Sequence, residues 1–138
     1  MSINIQLTKG VTGGFIAATP KVSIYIDWSP PLLNITKYVK SDSDIAEDGY
    51  VLYKSPESLT AASCLTCEPI LSAALQTIAS LPTENPIAGQ DIYGFDTSLS
   101  IESDKVRWVN RANEGCNIVP SSVTPTSEQR NRFKVSCL

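Results

Sequence analysis

Lys21-Val22-Ser23-Ile24-Tyr25-Ile26-Asp27-Trp28 is the stretch that decides how this chain folds. Val22, Ile24, Ile26 and Trp28 fall on one side of an extended backbone, and Ser23, Tyr25 and Asp27 on the other. That period of two marks a strand with one buried face. Pro30-Pro31 ends it, because proline brings no N–H to a sheet ladder.

The same period appears on either side. Ile3, Ile5 and Leu7 alternate with polar residues, and Gly10, Gly13 and Gly14 then mark a turn or loop. Leu33, Ile35, Lys37 and Val39 predict another strand, followed by the acidic run Asp42 to Asp48 and a return strand over Tyr50 to Tyr53. In the middle the period changes. Ser55-Pro56-Glu57 reads as a helix start and predicts a short helix through Leu59 and Ala62. A second helix is predicted from about Pro69 to Ser80, with Ile70, Leu71, Ala74, Leu75 and Ile78 as its apolar stripe. Strands return over Asp91 to Phe95, Ser98 to Glu102 and Lys105 to Val109, and Phe133, Val135 and Cys137 alternate as a terminal strand. On that strand Arg130, Arg132 and Lys134 share a solvated face. Short, hairpin-like connections favour antiparallel pairing. The expected class is mainly β (α+β): one domain over residues 1–138, an antiparallel β-sandwich or flattened barrel with one packed central helix.

Composition narrows the function by exclusion. The chain has 138 residues, 42% hydrophobic and 18% charged, enough for one core without staples. Its 11 basic and 14 acidic residues give a net charge of -3, with no basic face for nucleic acid. Ser and Thr are abundant even within strand-like runs, which suits a pleated surface packed against neighbours. No window has the length of a membrane span, and the N-terminus alternates instead of forming a signal peptide. The expectation is a protein kept in a reducing cytosol, where disulfides are not the default.

There is no histidine, so no Ser-His or Cys-His nucleophile pair exists within the chain. Gly10 to Gly14 lacks the Gly-Lys-Ser or Gly-Lys-Thr of a phosphate loop. The run Asp42 to Asp48 departs from a Ca²⁺-binding EF-hand, with Gly49 two places late and no glutamate at the twelfth position, and reads as a solvated hairpin tip. Among Asp91, Asp96, Glu102 and Asp104 nothing singles out a hydrolytic pair. Trp28 and Trp108 read as core anchors.

Cys64-Leu65-Thr66-Cys67 precedes the main helix, with Cys116 and Cys137 beyond it. A redox couple wants its first cysteine at a helix N-terminus within a βαβ frame, and that frame is missing. The reading adopted is that these cysteines are packing residues at the foot of a helix. A four-thiolate zinc site from Cys64, Cys67, Cys116 and Cys137 is kept as an alternative, as is a Cys116–Cys137 disulfide.

The order of strands, one helix and more strands is similar to that of tail-tube and related tail or neck proteins of tailed phages. That resemblance implies a ring-forming virion subunit, assembled in a host cytoplasm through protein partners, likewise a homo-oligomer or larger assembly. The function expected is therefore structural and non-enzymatic, without cofactor, nucleic acid or membrane. Gly10, Gly13, Gly14, Asp42, Asp44, Glu47 and Asp48 are its candidate interface. The alternative is a small β-scaffold binding or inhibitor module, which exposed Tyr25, Tyr38 or Tyr93 beside a concavity would favour.

Overall fold

The computed structural model describes residues 1–11, 19–41, 53–62, 64, 66–87, 90–110 and 119–137. Strands β1 (Ile3–Lys9), β2 (Val22–Ser29), β3 (Leu32–Val39) and β4 (Glu57–Ala62) precede helix α1 (Cys67–Ala79). Strands β5 (Thr97–Ser103) and β6 (Arg107–Val109) follow, and helix α2 (Ser127–Ser136) ends the series. The six strands form one sheet in the order β4-β3-β2-β1-β5-β6, with every neighbouring pair antiparallel. The mainly β, antiparallel class with a packed helix is thus what the chain forms. Among the described residues, helices and not a second sheet cover its apolar side.

Register sorts the side chains. Ile5 lies opposite Ile26 on one side and Ile101 on the other, and Ile3 opposite Trp28. These residues share one face with Leu99, and with Trp108, which lies opposite Ile101. That face forms the core with Cys67, Leu75 and Ile78 of α1 and with Phe133 of α2, which is fully buried. Tyr93 stacks on Phe133 at 4.1 Å between ring centroids, and Trp108 and Phe95 flank the same ring. Both tryptophans are core anchors, at 2% and 6% exposure. The Trp108 indole N–H donates to the Leu81 carbonyl at 2.9 Å, tying β6 to the end of α1.

Helix α1 begins two residues before its expected start. Pro69 falls in its first turn, where no N–H is needed. Leu71 and Leu75 turn inward as the stripe requires, but Ile70 is 65% exposed. Pro30-Pro31 closes the tight β2–β3 hairpin, bringing Ser29 opposite Leu32.

Three sequence expectations are corrected. Glu57 to Ala62 is a strand, not a helix: Leu59 and Ala61 pair with Ile35 and Leu33, and ladder formation on β3 overrides the local Ser-Pro-Glu signal. The stretch Asp91 to Phe95 is a series of bends, not a strand. Both Asp91 carboxylate oxygens accept backbone N–H groups, from Gly94 at 2.9 Å and from Asp96 at 2.6 Å. A side chain that satisfies the backbone so locally competes with ladder formation. Gly94 and Asp96 take positive φ, 76° and 52°, which a strand does not permit.

The end of the chain is a helix. Thr126 and Gln129 form a reciprocal capping box, in which the Thr126 hydroxyl accepts from the Gln129 N–H and the Gln129 side chain accepts from the Thr126 N–H. Arg132 and Glu128 pair at i, i+4. The apolar alternation of Phe133, Val135 and Cys137 thus belongs to a helix that sends Phe133 inward and leaves Val135 73% exposed. Arg130, Arg132 and Lys134 lie on that helix and not on a strand face.

A helix and a strand predict opposite mutational patterns here. Phe133→Ala removes a fully buried ring and is expected to cost about 3–5 kcal/mol, read as a lowered urea midpoint. Val135→Ala is expected to change it by less than about 0.5 kcal/mol.

Candidate ligand-binding face

The residues that alternate with the core set make up the other face of the sheet. Register places them in rows running across the strands. One row reads Arg107, Glu102, Asn4, Asp27, Asn34 and Thr60. The next reads Val109, Ser100, Gln6, Tyr25, Thr36 and Ser58. A third joins Ser98, Thr8, Ser23 and Tyr38, of which Ser98, Thr8 and Ser23 are buried. Neither helix contributes to the core through this face.

Three adjoining depressions lie on it, and Tyr25 lines each of them. One of about 200 Å³ is framed by Asn4, Gln6, Glu102 and Arg107. A second, of about 430 Å³, is framed by Asp27, Asn34, Thr36 and Tyr38. A third, of about 280 Å³, lies among Pro20, Ser23, Tyr38 and Tyr53. Tyr25 is 38% exposed and is held from two sides. The Tyr38 ring meets it edge-on at 5.7 Å, and its hydroxyl accepts from the Gln6 amide at 3.3 Å. The Tyr53 hydroxyl donates to the Pro20 carbonyl at 3.3 Å. Around this cluster Thr60 donates to Asn34 at 2.9 Å and Ser58 to Thr36 at 3.4 Å, so cross-strand pairs brace the floor.

The chemistry of the face is narrow. Its charged groups in the two complete rows are Asp27, Glu102 and Arg107, with no lysine. Apart from Val109, the rest are amides, hydroxyls and a phenol, groups that both donate and accept.

The residues singled out from sequence fall elsewhere. Gly10 is buried at the end of β1, where its N–H donates to the Asp96 carbonyl at 2.9 Å. Its φ of 81° and the 2.9 Å separation from Lys21 N that an added Cβ would have explain the glycine on backbone grounds. Gly13, Gly14, Asp42, Asp44, Glu47, Asp48 and Cys116 lie outside the described residues. Of the carboxylates weighed for hydrolysis, Asp91 is committed to its loop and Glu102 to the open face. Tyr93 is buried in the core, whereas Tyr25 and Tyr38 meet at the depressions.

Cys64 and Cys67 are joined as a disulfide with Cα atoms 5.4 Å apart, where thiols were expected. Cys67 opens α1 and faces the core, with Cys64 packed against it, so both do sit at the foot of the helix. In this oxidised state the pair offers no thiolate to a metal. Among the described residues no three His, Cys, Asp or Glu side chains gather to hold one, and none of the helices is long and apolar enough to cross a membrane. Cys137 is a free thiol at the C-cap of α2, not on a strand. Burial pushes its pKa up to about 11, with Lys9 acting in the opposite direction. Burial, and after it the neighbouring Cys137, pushes Tyr93 up to about 12.

No protein-family model, curated protein or solved structure matches this chain.

Both raised groups are neutral when protonated and harder to ionise folded than unfolded. The stability they support is full below about pH 9, the ordinary thiol value, and is lost as pH rises through about 11 and 12. Peptide-resolved alkylation of Cys137 by iodoacetamide is expected to be slow at neutral pH and to reach half its maximal rate near pH 11. A half-maximum near pH 9 would show an unburied thiol.

Proposed function

We propose that the protein is a non-enzymatic recognition module whose ligand is bound on the open face of the sheet, around Tyr25. One observation carries the reading: three depressions converge on a single half-exposed tyrosine, in a face of amides and hydroxyls braced by cross-strand hydrogen bonds. A face that serves only to stay wet is ordinarily populated by Lys and Glu, whose flexible chains make a poor floor for binding. Tyrosine held by neighbours loses little entropy when covered and presents both an apolar ring and a polar tip. Strands position such groups more firmly than loops do.

A second reading keeps the assembly role expected from sequence, in which the chain is a structural subunit such as a virion component. The observation in its favour is strand β4 at the sheet edge. Glu57 to Thr60 and Ala62 are exposed, Leu59 is 60% exposed, and the strand carries no proline or lysine to discourage pairing with another chain. An edge of six residues makes a short contact, whereas the Tyr25 face is a prepared surface, and recognition is therefore the primary reading.

A fragment screen on the ¹⁵N-labelled protein tests it. Hits are expected to shift the backbone amides of Asn4, Gln6, Tyr25 and Thr36 together, and Tyr25→Ala is expected to remove them. Hits that cluster elsewhere, or shifts that survive Tyr25→Ala, would contradict it.

A further inference from the structure

The face offers a ligand three things. The first is hydrogen bonding of mixed sense. Asn4, Gln6 and Asn34 each supply donors and an acceptor, and Ser100 and Thr36 supply hydroxyls that turn to suit. A ligand rich in hydroxyl groups, each of them both donor and acceptor, matches such a surface without leaving charges unpaired.

The second is an aromatic platform. Tyr25 is 38% exposed and fixed by the edge-on ring of Tyr38, with an interplanar angle of 88°. The face of an aromatic ring is electron-rich and attracts weakly positive C–H groups. The apolar side of a pyranose ring, lined with C–H bonds, is such a partner.

The third is size and charge. Six strands span about 24 Å, and the two rows that stay accessible extend about 7 Å along them, because Thr8, Ser23 and Ser98 of the third row are buried. The footprint is on the order of 200 Å², well below the roughly 800 Å² per partner of a standard protein–protein interface. It suits a short chain-like ligand lying across the strands. The two acids of the long polar row, Asp27 and Glu102, outnumber Arg107, and the whole chain carries a net charge of -3. Polyanions such as nucleic acid or anionic lipid headgroups are repelled.

Building on the recognition reading above, we propose that the ligand is a neutral oligosaccharide, a few sugar units long, laid across β6, β5, β1, β2 and β3 with one ring on Tyr25. Asn4, Asp27 and Asn34 hydrogen-bond the hydroxyls of the units to one side. Binding of this kind is weak for a single chain end and gains from repetition on a polymeric ligand.

The test is an NMR titration of the intact ¹⁵N-labelled protein with neutral tetrasaccharides: β-1,4-linked glucose, β-1,4-linked N-acetylglucosamine, α-1,4-linked glucose and α-1,6-linked mannose. A heparin tetrasaccharide, single-stranded oligo-dT and a proline-rich peptide serve as comparators. At least one neutral sugar is expected to shift the amides of Asn4, Gln6, Tyr25 and Thr36 saturably. Tyr25→Ala is expected to weaken it at least tenfold, about 1.4 kcal/mol. Tyr25→Phe keeps the ring and is expected to stay within about threefold of the native protein. The dispersion of each variant's amide spectrum reports that it is folded. If the peptide, heparin or oligo-dT shifts this face and no neutral sugar does, the ligand class is overturned while the recognition reading stands. If none of the probes, and no fragment, perturbs the face, both fall.

Discussion

The parity of β1 governs everything else in this fold. Ile3 and Ile5 point to the core and Asn4 and Gln6 away from it, and β1 pairs on both sides, with β2 and with β5. Side chains alternate strictly along a strand, so a slip of one residue would bury Asn4 and Gln6 and expose the isoleucines. Because both neighbours take their register from this strand, the same slip would scramble the rows on the open face. Core and outward rows are two sides of one constraint.

The second constraint is the lid. A single sheet cannot bury its apolar face alone, and here residues of α1 and α2 join its core, with Phe133 packed among Tyr93, Phe95 and Trp108. Asn110 secures the seam. Fully buried, it accepts from the Leu99 N–H at 2.7 Å and donates to the Thr97 carbonyl at 3.0 Å, so one side chain serves two backbone groups of β5. Its own carbonyl accepts from the Glu84 N–H, joining the loop after α1 to the same seam. Buried backbone groups satisfied in this way hold the end of the sheet in one arrangement.

Much of this was legible in the residues, and the failures have physical causes. The alternation in β1, β2, β3 and β5 reads straight from the residue types, although burial follows it only in part: β3 is half-buried along most of its length, and Thr8, Ser23 and Ser98 on the outward side are buried. Helix α1 is equally plain from its period. Strand β4 is not, because Ser55-Pro56-Glu57 favours a helix start locally while pairing with β3 decides the outcome. The terminal helix misled in the opposite sense. Its capping box, Thr126 to Gln129, was present in the sequence, but the apolar positions at 133, 135 and 137 mimic a strand, and only one of them reaches the core centre. The open face was half visible: each strand shows outward amides, hydroxyls and tyrosines. That Tyr25 meets Tyr38, and that Asn4 lies between Glu102 and Asp27, depends on register between strands distant in sequence, which no local pattern encodes.

The proposal therefore turns on one division of labour, a sheet closed by helices on one side and open around Tyr25 on the other. Hydroxyl-radical footprinting of the free protein over a wide range of protein concentration tests that division most directly. Tyr25 is expected to oxidise readily at every concentration, while Tyr93 and Phe133 stay unmodified. Protection of Tyr25 that deepens with concentration, or ready oxidation of Phe133, would contradict it.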